Sequence, residues 1–136
     1  MKVNRVIIHA DGTSQGNPGP AAIGATIKDE QGRLLASVSQ AIGRATNNQA
    51  EYRAVIAALE KATKLGASWA DIYLDSELVV RQLNGQYRVK NRSLKPLYHR
   101  AKELQGRLDG FTITHIPRHE NSEADNLANI ALRACS

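Results

Sequence analysis

Four acidic side chains stand where the chain changes direction. Asp11 follows an apolar run, Glu51 lies early in a helical pattern, Asp75 ends a second apolar run, and Asp125 lies early in the last helical pattern. Each has an ordinary structural use. Asp11 can form a turn, Glu51 and Asp125 can sit favourably near positive helix N-termini, and Asp75 can serve the adjoining cap. Brought together, they acquire a chemistry none has alone. Carboxylate oxygens suit hard cations such as Mg²⁺ or Mn²⁺, which take a few carboxylates, several waters and substrate phosphate oxygens. Two such ions about 4 Å apart stabilise both the attacking water and the leaving oxygen of an in-line phosphoryl displacement. The expected chemistry is therefore phosphodiester hydrolysis.

The elements that must position these residues can be read from periodicity. Residues 3 to 10 are rich in β-branched types and stop at Asp11-Gly12, which predicts a buried strand ending in a turn. After the turn cluster at 16 to 20, residues 21 to 28 and 33 to 41 read as two more strands of an antiparallel meander. Thr46 with Gln49 is a capping-box signature, and Val55, Ala58, Leu59, Ala62 and Leu65 then recur at helical spacing up to Gly66. DIYLD at 71 to 75 is a short strand, and Ser76 can cap a helix ending at Asn84-Gly85. Leu94, Leu97, Ala101, Leu104 and Leu108 mark another helix, with Ser93 before it and Pro96 in its first turn. Residues 111 to 116 alternate like a last strand, and Asn121 or Ser122 can cap a final helix. Strands that alternate with helices join a sheet in parallel, so the fold class is α/β, a mixed sheet covered by helices. Parallel strands deliver their C-terminal ends to one edge, which is where the four carboxylates would meet.

The chain's 136 residues, 42% hydrophobic and 23% charged, suffice for a single domain spanning 1–136 with a real core. A formal charge of +5 and a pI near 9.6 favour a polyanionic partner through counterion release, although basic charge also serves plain solubility. Cys135 is the only cysteine, so neither a disulfide framework nor a thiolate metal site can form within one chain, which points to a reducing compartment. No long apolar segment is present. A cytoplasmic monomer with no membrane association is expected.

DGTSQGNPGP at 11–20, TNNQAE at 46–51, LDS at 74–76 and NSEADNLA at 121–128 resemble, in order, the motif blocks of the type 1 ribonuclease H family. The resemblance spans nearly the whole chain. It implies a ribonuclease H-like fold with a five-stranded mixed sheet in the order 3-2-1-4-5. It also implies a metal-dependent endoribonuclease that cuts the RNA strand of RNA/DNA hybrids by a two-metal-ion mechanism, leaving 5′-phosphate and 3′-hydroxyl ends. Asp11, Glu51, Asp75 and Asp125 would be both catalytic residues and ligands of two Mg²⁺ or Mn²⁺ ions. Asn17, Asn48 and Gln49 match positions that contact the hybrid's minor groove, with Gly12, Thr13, Thr46, Asn47 and Ser76 beside the site. Short amides and hydroxyls there can sense 2′-hydroxyls without reading base sequence. Two other readings stay open, a non-catalytic hybrid-binding module and a related nuclease that also cuts double-stranded RNA.

The family often carries a histidine on the loop before its last aspartate. His119, six residues before Asp125, is favoured over His115, and Arg118 can instead meet the scissile phosphate. Some relatives insert an extra helix and a basic loop between positions matching Gln82 and Leu104, and this chain is too short for that. Residues 81 to 102 nevertheless hold seven basic side chains and no acid, among them Arg88, Lys90 and Arg92, with Tyr87 and Tyr98 interleaved. This stretch is expected to bind phosphates in place of the missing loop, its helix docked by Leu94 and Leu97; a plain solvated face is the alternative.

Overall fold

The computed structural model describes residues 4–134. Val3, included in the first expected strand, and Cys135 lie outside the described residues. Strands β1 (Arg5–Ser14), β2 (Gly19–Lys28) and β3 (Leu34–Ala45) form the antiparallel meander. Helix α1 (Asn47–Lys64) follows, then β4 (Trp69–Leu74), α2 (Glu77–Leu83), α3 (Lys95–Gln105), β5 (Gly110–His115), a 3₁₀ turn (Arg118–Asn121) and α4 (Ser122–Ala134). The sheet order is β3-β2-β1-β4-β5, with β1–β4 and β4–β5 parallel. This is the expected order of a five-stranded mixed sheet.

Alternation along the strands sorts the two faces. Val6, Ile8 and Ala10 of β1, with Ile23, Ala25 and Ile27 of β2, pack in the main core with Tyr52, Val55, Ala58 and Leu59 of α1. The other face takes α4, whose Ala131 and Leu132 meet Ala22. Two glycines set how near the helices come. A Cβ on Gly12 would lie 2.2 Å from the Ala50 carbonyl carbon of α1, and one on Gly24 would lie 2.2 Å from the Ala124 oxygen of α4. Only hydrogen at these positions lets both helices reach the sheet beside Asp11.

Several boundaries differ from the sequence reading. β1 does not end in a turn at Asp11-Gly12; it continues to Ser14 because β2 supplies partners, pairing Asp11 with Gly24 and Ser14 with Ala21. Ladder pairing outweighs the turn preference of an Asp-Gly dipeptide. β3 likewise runs to Ala45, four residues beyond 41, around an irregularity opposite Ala21 and Ala22. β4 starts at Trp69, two residues ahead of DIYLD. Ser93 does not cap α3; its amide and hydroxyl both donate to Asn91 Oδ1, and α3 stops at Gln105, short of Leu108.

Candidate active site

Asp11 and Asp75 reach the same place for one reason. Ala10 and Leu74 are the last pair of the parallel β1–β4 ladder, and each aspartate is the next residue of the chain, Asp11 within β1 and Asp75 just past β4. Glu51 comes from the second turn of α1, where side chains tilt back toward the helix N-terminus. The capping box fixes that end of the helix, Thr46 Oγ1 accepting from the Gln49 amide and Gln49 Oε1 from the Thr46 amide. One oxygen each from Asp11, Glu51 and Asp75 lies within 4.8 Å of the others. Asp125 joins them from the first turn of α4, lining the same cleft of about 430 Å³. All four acids predicted from the sequence thus share one site.

This arrangement is electrostatically costly without a cation. Burial, then the hydrogen bond and charge of Glu51, pushes the Asp11 carboxyl above the usual carboxylate range. Glu51 is also pushed up, again mainly by burial, although contact with Asp11 and the Gly12 amide pulls the other way. Asp75 rises through burial against the opposing hydrogen bond of Asn121. Gly12 N–H donates to Glu51 Oε1 at 3.0 Å, while Glu51 Oε2 is buried with no partner. An orphaned, desolvated carboxylate oxygen beside two more carboxylates fits a hard divalent cation bound by oxygen. Burial on this scale also argues against the simple reading of Glu51 as a helix-end charge.

A family model described as reverse transcriptase-like matches residues 9–131. The crystal structure of RNase H1 from Halobacterium salinarum, 46% identical, superposes with a TM-score of 0.94 over 96% of this chain and 99% of that one. This chain belongs to the type 1 ribonuclease H family. An RNase H1 isolated from compost and solved in complex with an RNA/DNA hybrid is 41% identical, with a TM-score of 0.91 over 96% of this chain and 99% of that one. A bifunctional protein of Mycobacterium tuberculosis is 47% identical over 133 residues, covering 97% of this chain. The chain spans 36% of that relative's length.

Around the ribonuclease H carboxylates, Gly12, Thr13, Asn47, Asn48 and Ser76 line the cleft together with Ser14 and Arg118. Asn47 Oδ1 accepts from the Ser14 amide at 3.1 Å and from Ser14 Oγ at 2.8 Å. Asn17 Oδ1 accepts from the Asn47 amide. Backbone N–H groups can only donate, so the oxygens of Asn17, Asn47 and Gln49 face inward and their NH₂ groups remain as donors. Ser14 escaped the sequence reading because a serine near a turn cluster carries no signal until its amide partner is known.

The 3₁₀ turn separates the residues that competed for a role near Asp125. Arg118 lines the cleft, 3.8 Å from Asp125 Oδ1. His119 is exposed, 3.8 Å from Glu120 Oε2, and does not line the cleft. His115 ends β5 in register with Leu74. Asn121 is buried and does not act as a side-chain cap for α4: its Nδ2 donates to Ala10 O at 2.9 Å and to Asp75 Oδ2 at 3.4 Å. Cap chemistry masked that use, since Asn before a helix has a sufficient local explanation.

The basic stretch divides. Arg81 pairs with Glu77, Arg100 with Glu60 and Glu103, and Lys102 donates to the Leu83 carbonyl. Arg88, Lys90 and Arg92 lie exposed on the irregular segment between α2 and α3 rather than on the helix, which starts only at Lys95. Leu94 is buried and Leu97 packs against the core, as expected of the residues that dock α3.

Proposed function

We propose that this chain hydrolyses the RNA strand of RNA/DNA hybrids endonucleolytically, leaving 5′-phosphate and 3′-hydroxyl ends. The observation that carries this reading is the convergence of Asp11, Glu51 and Asp75 oxygens within 4.8 Å in an open cleft. A relative solved with an RNA/DNA hybrid supports the substrate.

Asp11, Glu51, Asp75 and Asp125 would hold two divalent cations, Mg²⁺ or Mn²⁺. Cations so held lower the pKa of a bound water and neutralise charge developing on the phosphoryl oxygens. The residues of the chain do the rest. The carboxylates, which by themselves would repel a phosphate, set where the cations would sit in the cleft. Arg118, beside Asp125, meets the non-bridging phosphate oxygens, and the exposed imidazole of His119 shuttles protons on the same turn.

Substrate choice follows from the amide shelf. Asn17, Asn47 and Gln49 present NH₂ donors, and every base pair offers minor-groove acceptors at purine N3 or pyrimidine O2. Donors of that kind, with Asn48, Thr13 and Ser76 beside them, recognise a hybrid by shape and 2′-hydroxyls without regard to sequence. Gly12 keeps this wall close to Glu51, and Thr46 holds the shelf through the helix cap. Arg88, Lys90 and Arg92 grip phosphates further along the duplex.

End-labelled hybrid, double-stranded RNA, double-stranded DNA and a small phosphomonoester should be compared in Mg²⁺ and in Mn²⁺. The expected result is short RNA products from the hybrid, abolished in Asp75→Asn. Binding of the hybrid with no cleavage in either metal would instead mark a non-catalytic module, and equal cleavage of double-stranded RNA would remove the hybrid preference.

A further inference from the structure

Asn121 is buried to 1% exposure, yet its Oδ1 has no hydrogen-bond partner. A buried amide with an orphaned acceptor is a poor choice for stability alone. Its other end explains its presence. Nδ2 donates to the Ala10 carbonyl at 2.9 Å and reaches Asp75 Oδ2 at 3.4 Å. A carbonyl can only accept, so the amide cannot flip without setting oxygen against oxygen.

The position of this side chain matters more than the strength of its bonds. Ala10 immediately precedes Asp11 and closes the parallel ladder opposite Leu74, which itself precedes Asp75. Past β5, the Ile116 amide bonds the Leu74 carbonyl at 2.9 Å, so the chain entering the 3₁₀ turn is held at the end of β4. Asn121 then closes that turn back onto β1 and hands the chain to α4, whose first turn carries Asp125. One side chain thereby touches the strand end before Asp11, contacts Asp75 directly and sets where Asp125 starts.

We propose that Asn121 is a positioning residue for the cation site, orienting the Asp75 carboxylate and aligning the start of α4 with the end of β1. This rests on the reading of the four carboxylates as cation ligands. Groups that orient metal ligands without touching the metal typically change affinity or activity by about 10–100-fold when removed.

The test compares wild type, Asn121→Ala, Asn121→Ser and Asp75→Asn. Three quantities are read: Tm in EDTA, the Mg²⁺ and Mn²⁺ concentrations giving half of the metal-dependent rise in Tm without substrate, and kcat and KM on hybrid. Both contacts leave from the same Nδ2, and the serine hydroxyl ends one bond nearer the backbone, so serine withdraws both while leaving a polar group in the buried space. Asn121→Ser should therefore lose some EDTA Tm, need about tenfold more metal and fall about tenfold in kcat, with KM for hybrid within about twofold. Asn121→Ala should show the same metal and kcat losses together with a larger drop in EDTA Tm. If alanine does not fold, serine carries the measurement. A serine variant whose metal midpoint and kcat match wild type would reduce Asn121 to a brace between strand and turn and overturn the proposal. Failure of the underlying reading has a different signature: a wild type with no metal response, or an Asp75→Asn variant that keeps it.

Discussion

At the scale of single residues, the strongest statement concerns proton affinity. The carboxyls of Asp11, Glu51 and Asp75 are raised in the folded chain, chiefly by burial. The folded state therefore binds more protons than the unfolded one above the ordinary carboxylate pKa of about 4. The contribution of these three groups to the stability of the metal-free protein therefore falls as pH rises from there through neutrality. Asp71 behaves oppositely, its carboxyl held low by Arg5, Thr112 and Trp69, so its contribution is present at neutral pH and disappears in acid. Asp11→Asn is expected to raise Tm in EDTA at pH 8 by roughly 3 °C and to flatten the decline between pH 5 and 8; a scanning-calorimetry pH series reads both. The same substitution should lower kcat by roughly three orders of magnitude or more. Arg118→Ala should cost more activity than His119→Ala, because only the arginine lines the cleft; equal kcat values for the two in a steady-state assay would contradict this.

At the scale of elements, the site depends on two helices coming close to one strand. Gly12→Ala would push a methyl group against the α1 backbone at Ala50, and backbone cannot step aside as a flexible side chain can. The expected outcome is a loss of about 2–3 kcal/mol on chemical denaturation with loss of cleavage, because Glu51 moves with the helix. The cap of α1 gives a cleaner separation of roles. Thr46→Ala should destabilise by about 1 kcal/mol. Gln49→Glu keeps the oxygen that accepts from Thr46 N–H but removes the outward donors, so its Tm should stay near wild type while hybrid affinity falls. A fluorescence-anisotropy titration checks it, and unchanged affinity would remove Gln49 from the shelf. Sequence periodicity stopped β1 and β3 each four residues short; in β1 this is because Asp11-Gly12 satisfies a turn rule locally and only the presence of β2 alongside extends the strand to Ser14.

At the scale of the whole molecule, a net charge of +5 coexists with an acid-lined cleft, so attraction to phosphate beyond that of Arg118 must come from elsewhere on the surface. Arg88, Lys90 and Arg92 supply it in the proposed function. Reversing all three charges should weaken hybrid binding and flatten the slope of log affinity against log salt by about 0.9 for each phosphate no longer neutralised, read from affinities at several salt concentrations. Much of this architecture was legible in the sequence. Alternating and helical periodicities place apolar faces, and a strand–helix order admits few topologies, so a mixed sheet and the four acids could be named from the residues, while the strand order came from the resemblance of the motif blocks. Local rules were enough there because those features are local, or repeat. Other features were not written in any window of residues. Asn121 looks like a cap until the end of β1 is known to lie beside it, and the inward amide oxygens of Asn17 and Asn47 depend on backbone donors that folding brings close. The residue types that carry charge and polarity are set by the sequence; which way each one points, and how far its proton affinity shifts, is set by burial and long-range neighbours that exist only once the chain has packed.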